Sequence, residues 1–276
     1  MTKLRNSELM AEPAGPIPEV FFSIVIPAYN EGERIGTTLD KIRNYLASKR
    51  FIAEVVVVDD GSTDNTPGLL RAAAAGWAEF RILTNARNRG KGFSVRRGVL
   101  EAKGAFVLFS DADLSGPIEE ADKLMAALES AAADVAVASR ALDRGLVGVR
   151  QPLRREYAGR FFNMLVRLFT GLKIRDTQCG LKLFRRGSTR HAFESQQVTG
   201  FGFDPELLFL IERRGGKVVE VPVRWNDNPA TKVRFLRDSA QMFLDLVAVR
   251  WRAWAGKYRS LASEAGAQGD QGVRSE

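Results

Sequence analysis

Residues 106–115 read FVLFSDADLS, and this stretch decides the fold class. Its first five residues form a short apolar run, which is typical of a β-strand buried on both faces. Two aspartates, Asp111 and Asp113, follow at once. Carboxylates this close repel each other unless a cation or hydrogen bonds offset their charge, and Mg²⁺ and Mn²⁺ are commonly held by one or two carboxylates together with substrate phosphates. The stretch therefore predicts a buried strand that ends at a candidate metal site.

Similar strand-like runs alternate with helical spans along the first half of the chain. Besides 106–110, the predicted strands are Phe21–Ile26, Val55–Val58, Arg81–Thr84 and Asp134–Ser139. The predicted helices lie at about 31–48, 63–75, 91–102 and 117–130. This βαβα order predicts an α/β fold, with a mostly parallel sheet and helices on both faces.

Two more polar clusters follow predicted strands, where open parallel sheets bind their ligands. The first is PAYNE (27–31) and the second is DDGS (59–62). For the second cluster, an alternative is helix capping by Ser62 or Thr63. Capping leaves Asp59 unexplained, because it is the first residue after an apolar strand. Its carboxylate is a candidate acceptor of hydrogen bonds from a nucleotide base.

A glycine-rich turn, NRGKG (88–92), precedes the third predicted helix. Its glycines permit a close backbone approach, and Lys91 is a candidate partner for a phosphate. The alternative is an ordinary glycine turn with a solvated lysine.

The composition limits which partners, metal ligands and catalytic groups are expected. The 276 residues carry a net charge of +8, which favours anionic partners. The single cysteine, Cys179, excludes an internal disulfide and favours a reducing compartment. With His191 as the only histidine, zinc sites built on histidine and Ser-His-Asp triads are disfavoured, and a hard ion held by carboxylates is expected. The chain shows no secretion signal and no apolar run long enough to cross a bilayer, so we expect a cytoplasmic protein, soluble or peripheral on a membrane.

The chain divides by composition into four segments. These are a loose arm (1–19), a nucleotide-binding α/β half (20–140), a half with basic amphipathic helices (141–259) and a disordered tail (260–276). Within the second half, residues 159–174 and 233–257 combine aromatic and aliphatic residues with arginines, as helices at a bilayer interface do. The alternative is that both helices face the core of their own domain.

Taken together, the motifs resemble a known family. VIPAYNE (25–31), VVDDGSTDNT (57–66), NRGKG (88–92) and DADLS (111–115) look like the core of the family 2 glycosyltransferases, in the same order. DTQCGLKLF (176–184) and VRWNDNPATKV (223–233) are similar to the polyprenyl-phosphate branch. Within it, dolichyl-phosphate β-glucosyltransferases resemble the chain most, and dolichyl-phosphate mannose synthases less.

The resemblance implies a glycosyltransferase A fold and inverting transfer from a nucleotide sugar, with Mg²⁺ or Mn²⁺ as cofactor. It implies that the donor base and ribose are held by Pro27, Tyr29, Glu31 and Asp59. Lys91 stays a candidate for the donor phosphates, and Asp111 and Asp113 would hold the metal and the diphosphate. The acceptor phosphate would meet Arg140, Arg154, Arg155 and Lys232. The candidate catalytic residues are Asp111, Asp113, Arg140 and Asp204.

The sequence leaves several alternatives open. Pro229-Ala230-Thr231 departs from the Gly-x-Ser of the synthases, and Trp225-Asn226 looks more like the glucosyl branch, which favours UDP-glucose over GDP-mannose. A sugar hydroxyl as acceptor would need a catalytic base, for which Asp204 and Glu206 are candidates unless Asp204 only caps a helix. A nucleotidyltransferase lacks support because PAYNE stands where its basic loop would follow strand one. A basic adaptor for membranes or RNA would leave the carboxylates without a purpose, and we expect no nucleic-acid partner.

Overall fold

The computed structural model describes residues 20–149, 153–226 and 235–258, with side chains from Tyr157 in the helix that begins at Leu153 and from Asp238 in the helix that begins at Phe235. The predicted arm and tail lie outside these residues. The strands are β1 (Phe22–Ala28), β2 (Ala53–Asp59), β3 (Phe80–Thr84), β4 (Phe106–Ser110), β5 (Val135–Ser139), β6 (Val147–Val149), β7 (Leu181–Arg185), β8 (Val218–Pro222) and β9 (Trp225–Asn226). The helices are α1 (Ile35–Ala47), α2 (Thr66–Ala74), α3 (Lys91–Glu101), α4 (Glu120–Ser130), α5 (Leu153–Thr170), α6 (Arg186–Ser195), α7 (Phe203–Arg213) and α8 (Phe235–Trp254).

The described strands form a seven-stranded sheet in the order β3-β2-β1-β4-β7-β5-β8, and β6 pairs with β9 beside it. Every pairing in the large sheet is parallel except those of β7, which runs antiparallel to both β4 and β5. The mostly parallel sheet predicted from the sequence is confirmed. Because β7 and β8 come from residues after 140, both halves of the chain build one sheet.

Helices cover both faces of the sheet, as predicted. One face packs against apolar residues of α1, α2 and α4, including Leu39, Leu70 and Leu124. The other face packs against α3, α5, α6, α7 and α8. The central strands are buried on both sides, which accounts for the apolar runs VVVV in β2 and FVLF in β4.

The predicted boundaries are wrong at the end of β1 and at the start of three helices. β1 continues through Pro27 to Ala28, whereas Pro27 was expected to end it. Pairing with β4 has already ended at Val25, so the missing N–H of Pro27 is not needed there. The helices α1, α2 and α4 begin about three residues later than predicted. In each case the preceding residues form the loop that carries the polar cluster.

Candidate functional site

The polar clusters meet at one edge of the sheet. β2, β1 and β4 are neighbours and parallel, so their carboxyl ends lie side by side. The chain runs outward from β1 to β2 and β3 and then returns to β4 on the other side of β1. Such a reversal of strand order opens a crevice in which α/β proteins bind ligands. PAYNE, DDGS and the two aspartates all border this crevice.

The loop after β4 holds two carboxylates that face outward. The N–H of Asp111 donates to the carbonyl of Gly180 at 3.0 Å, and Oδ1 of Asp113 accepts from the N–H of Ser115 at 3.0 Å. Leu114 has a φ of 46°, which turns the chain sharply after the pair. The Asp111 side chain remains 27% exposed. Both carboxylates therefore keep oxygens available to a ligand.

Lys91 is the counter-ion of Asp111. Its Nζ lies 2.7 Å from Oδ1 of Asp111, and its side chain is 23% exposed. Burial alone would lower the pKa of Lys91, but Asp111 and Asp204 raise it above its ordinary value, so the group is a cation. The structure thus joins the glycine-rich turn to the aspartate loop, a link that the sequence motifs do not show.

Asp60 holds the glycine-rich turn in place through hydrogen bonds. This buried carboxylate accepts from the N–H groups of Arg89 and Gly90 at 2.9 and 2.8 Å and from the side chain of Asn85 at 2.6 Å. Gly90 has a φ of 100°, and a Cβ there would meet the carbonyl of Thr199 at 2.4 Å, so this position requires glycine. Sequence reasoning singled out Asp59 and missed Asp60, although a second acidic residue directly after an apolar strand was a visible signal.

Asp59 lies at the end of β2 and is 2% exposed. Its Oδ1 accepts from the N–H of Ser62 at 3.0 Å. The capping hypothesis for Ser62 and Thr63 is wrong, because helix α2 begins at Thr66 and both residues bond to Asn30 instead. These bonds tie the second polar cluster to the first.

The PAYNE loop is shaped by Asn30, whose φ of 55° lies in the left-handed region. The N–H of Glu31 donates to Oγ1 of Thr66 at 2.7 Å, and the Glu31 carboxylate pairs with Arg34. Tyr29 is 37% exposed beside these bonds. The loop is therefore braced against the α2 region while an aromatic ring stays accessible.

Asp204 lies in the first turn of α7, whose N-cap is Gly202, so the capping alternative for Asp204 is wrong. It is buried, and its Oδ1 lies 2.6 Å from Nζ of Lys182, a lysine with no exposed surface. Burial raises the pKa of Asp204, and Lys182 opposes that rise. Sequence reasoning missed Lys182, because a lysine within LKLF gives no sign of burial.

Glu206 has a structural role. It has no exposed surface and accepts from the N–H groups of Gln197 and Val198 and from the hydroxyl of Tyr258. These bonds hold Tyr258, which follows α8, against the loop before α7. The suggestion that Glu206 is a catalytic base is therefore wrong.

A cavity of about 250 Å³ lies next to the aspartate loop, between α5, the segment 175–178 and β9. Among the residues that the structure describes, four arginines line it: Arg140, Arg144, Arg160 and Arg175. Arg140 makes a bidentate pair with Asp176 at 2.7 and 2.8 Å. Burial alone would raise the pKa of Asp176, but Arg140 holds it below its ordinary value. The side chains of Arg154 and Arg155, and all of Lys232, lie outside the described residues.

Trp225 lines this cavity and packs against Gly116, the residue that follows the aspartate loop. The Arg140 guanidinium lies 5.2 Å from its ring centroid, and a Cβ on Gly116 would meet the ring at 3.1 Å. The N–H of Asn226 donates to the carbonyl of Ser115 at 2.8 Å. The strand β9 thus fixes the arginine-lined cavity against the loop that carries Asp111 and Asp113.

A divalent cation fits this loop when a ligand completes its coordination. Within the described ranges, no group of three or more His, Cys, Asp or Glu side chains could hold a metal. Two carboxylates plus the oxygens of a bound diphosphate are a normal donor set for Mg²⁺ or Mn²⁺. Asp111 and Asp113, two partly exposed carboxylates in one loop at the mouth of the crevice, match that donor set.

Solved structures with the same fold hold such ligands. Glucosyl-3-phosphoglycerate synthase from Mycobacterium tuberculosis, in complex with Mn²⁺, uridine diphosphate and glucosyl-3-phosphoglycerate, matches at a TM-score of 0.60 with 20% identity, over 87% of this chain and 84% of that one. Mannosyl-3-phosphoglycerate synthase from Rubrobacter xylanophilus matches at 0.63 with 18% identity, over 86% and 75%. At this identity the likeness establishes the fold, which is the predicted glycosyltransferase A fold.

Sequence comparison supplies the family. The model of glycosyl transferase family 2 matches residues 23–193. A dolichyl-phosphate beta-glucosyltransferase of Drosophila melanogaster is 37% identical over 88% of this chain and 78% of its own length. One of Saccharomyces cerevisiae is 35% identical over 87% and 77%, and one of Trichomonas vaginalis is 36% identical over 84% and 71%. This protein is therefore a glycosyltransferase and belongs to glycosyl transferase family 2.

Proposed function

We propose that the protein transfers glucose from UDP-glucose to a polyprenyl phosphate, with inversion at the sugar carbon and with Mg²⁺ or Mn²⁺. The observation that carries the proposal is the arrangement of two sites. An outward-facing pair of carboxylates, suited to a metal-bound diphosphate, adjoins a cavity lined by arginines, suited to a phosphate acceptor. Relatives named dolichyl-phosphate beta-glucosyltransferases support the same pair of substrates.

The donor would lie along the crevice between β1 and β4. Asp59 and the PAYNE loop would hold its base and ribose, and Lys91 would reach its phosphates. A divalent cation held by Asp111 and Asp113 supplies charge stabilisation to the leaving diphosphate. The neighbouring solved structure with uridine diphosphate and Mn²⁺ supports this type of donor.

The acceptor phosphate would enter the arginine-lined cavity. A phosphate monoester is already largely anionic near neutral pH, so its attack on the sugar needs little help from a base. The arginines would then position the acceptor, with Arg140 held rigid by Asp176. Trp225 would form one wall of that cavity, beside the metal-binding loop.

The lipid tail of the acceptor would leave along α5 and α8. The helix α5 lines the cavity through Gly159, Arg160 and Asn163. Large apolar side chains on these two helices are exposed to solvent: Tyr157, Phe161, Met164, Leu168, Phe243, Leu244, Val247, Trp251 and Trp254. We call this set the apolar face. In the described part of the chain no helix has the length and apolar character required to span a bilayer. Because these exposed apolar side chains adjoin the cavity, we propose peripheral contact with the cytoplasmic side of a membrane, through the apolar face.

A donor and acceptor panel tests the proposal. We expect the purified protein, with Mn²⁺ and polyprenyl phosphate in detergent micelles, to make a lipid-linked sugar from UDP-glucose at least about tenfold faster than from GDP-mannose. UDP should also bind more tightly than GDP in calorimetry with Mn²⁺. Tighter binding of GDP would refute the donor assignment. Transfer to a free sugar hydroxyl but not to polyprenyl phosphate would refute the acceptor assignment.

Asp59→Asn tests base recognition. Asparagine keeps an oxygen that can accept from Ser62, so the loop should stay folded while the negative charge is lost. We expect KM for the donor to rise about tenfold and kcat to change less than about twofold, because recognition of the base is the same in the ground and transition states. The matched control is Asp40→Asn, a change at an exposed residue of α1. An unchanged KM with a collapsed kcat would place Asp59 at the reacting centre instead.

A further inference from the structure

Four charged side chains form a row of alternating sign that runs from the buried core to the metal-binding loop. Lys182 pairs with Asp204 at 2.6 Å, and Lys91 pairs with Asp111 at 2.7 Å. The two pairs meet at the ring of Phe109, since the Nζ atoms of Lys91 and Lys182 lie 5.3 and 5.6 Å from its centroid. No motif in the sequence connects these residues.

The inner end of the row is fixed. Lys182 has no exposed surface, and besides Asp204 it donates to the carbonyl of Cys179 at 2.6 Å. The next residue, Gly180, accepts from the N–H of Asp111, and a Cβ on Gly180 would lie only 2.0 Å from Oδ2 of Asp111. Removing one partner of a buried ion pair is costly, so Lys182 holds both Asp204 and the Cys179–Gly180 segment in place.

The outer end of the row can exchange partners. Lys91 and Asp111 are both about one quarter exposed, and partly solvated ion pairs contribute little net stability. A divalent cation on Asp111 would face the positive charge of Lys91 at the distance of one ion pair. The two cations would compete for the same carboxylate.

We propose that Lys91 is the resident counter-ion of Asp111 and competes with the divalent cation for it, while Asp204, anchored by Lys182, retains the displaced ammonium group beside the donor diphosphate. Asp204 is then a positioning residue for Lys91. The inference rests on the proposed metal-dependent donor binding. It predicts opposite effects of Lys91 on the two ligands: Lys91 weakens binding of the free metal ion and strengthens binding of the metal-bound nucleotide.

Lys91→Met and Lys91→Arg separate charge from packing. We expect Lys91→Met to bind Mn²⁺ alone about fivefold more tightly than the wild type, measured from the free Mn²⁺ signal in electron paramagnetic resonance, because the competing cation is gone. We expect it to bind UDP about tenfold more weakly in calorimetry at saturating Mn²⁺. Lys91→Arg keeps the charge and should bind Mn²⁺ as the wild type does. Lys41→Met, at an exposed residue of α1, is the matched control and should change neither affinity.

The double variant Lys182→Met/Asp204→Asn tests the anchor without leaving a buried charge unpaired. We expect it to keep a cooperative thermal transition and to bind UDP with Mn²⁺ about tenfold more weakly. Wild-type UDP affinity with a collapsed kcat would overturn the positioning role of Asp204. Loss of the cooperative transition would leave the decision to the Lys91 variants, which retain the buried pair.

The outcomes distinguish this inference from the proposed function. If the wild type binds no UDP in the presence of Mn²⁺, the proposed function fails. If it does bind UDP, but Lys91→Met binds Mn²⁺ no more tightly than the wild type, the competition fails while the proposed function stands. Equal Mn²⁺ affinities of Lys91→Arg and Lys91→Met would likewise refute a role of the lysine charge.

Discussion

Asp113→Ala should reduce sugar transfer by about a thousandfold or more, and it should remove the dependence of nucleotide binding on metal. The reason is the small donor set at this edge of the sheet. Asp113 and Asp111 are the carboxylates that face the crevice after β4, and among the described residues no group of three potential ligands lies in reserve. Without Asp113, one carboxylate remains, and Lys91 already pairs with it.

Transfer assays and calorimetry with and without EDTA provide the measurement. The thermal transition of Asp113→Ala should stay close to that of the wild type, because the side chain contributes a single hydrogen bond from Ser115 among the contacts described. Asp40→Ala, which removes an exposed carboxylate from α1, is the control and should leave transfer unchanged. Wild-type turnover that is insensitive to EDTA would contradict the metal assignment.

The parallel part of the fold could be predicted because its strands have a strong local signal. Strands buried on both faces need short apolar runs, and β1, β2, β4 and β5 each consist of one. Polar residues directly after these runs had to lie at one edge, since parallel strands place their carboxyl ends together. The position of the aspartate pair and of Asp59 at this edge could therefore be predicted from the sequence alone.

The partners of these residues could not be predicted, because they come from distant parts of the chain. Lys182 lies in β7, which enters the sheet between β4 and β5 in the opposite direction. The sequence does not show that insertion, and only the insertion buries the lysine beside Asp204. In the same way, the resemblance predicts Arg140 as a phosphate ligand, but its pairing with Asp176 requires two segments 36 positions apart to meet.

The predicted start of α2 was wrong for a different reason. Ser62 and Thr63 have the composition of a helix N-terminus, yet they bond to Asn30 in the neighbouring loop. Asp64 does both, because it accepts from the N–H of Thr66 at the start of α2 and from the N–H of Gly32. Side chains that suit a cap also suit a turn that binds another loop, because both use the same oxygen acceptors. Whether these side chains cap the helix or bind another loop depends on the neighbouring strand, β1, because it places the loop that contains Asn30 beside them.

Substitutions in the apolar face should produce the second large effect, a loss of membrane binding. We expect wild-type protein to co-sediment with vesicles that contain anionic lipid, and the triple variant Phe161→Ser/Leu168→Ser/Trp254→Ser to partition about a thousandfold more weakly. These side chains are 60%, 76% and 85% exposed. Burial of each side chain in a bilayer interface would contribute on the order of 1.5 kcal/mol or more to membrane binding. Replacing all three should therefore weaken binding far more than replacing one exposed residue. Transfer to polyprenyl phosphate in vesicles should fall with partitioning.

The choice of residues follows from how α5 and α8 pack. Phe169 lies in the stretch 159–174 that was predicted to contact a membrane. It is partly buried, however, and its ring meets that of Phe243 edge to face at 6.0 Å. Its replacement would disturb the contact between the helices. Leu168 points away from that contact and tests lipid binding alone. The matched control is Ile52→Ser, because Ile52 is 59% exposed and precedes β2 at the opposite edge of the sheet.

Two measurements decide what covers the apolar face. UDP affinity of the triple variant at saturating Mn²⁺ should equal that of the wild type, because the face lies outside the donor crevice. Sedimentation velocity without vesicles should show wild type and variant with the same mass. A wild-type dimer that dissociates in the variant would assign the face to a second copy of the chain. Since α5 also lines the arginine-rich cavity, lipid contact at this face would place a polyprenyl phosphate with its headgroup among the arginines and its tail in the bilayer.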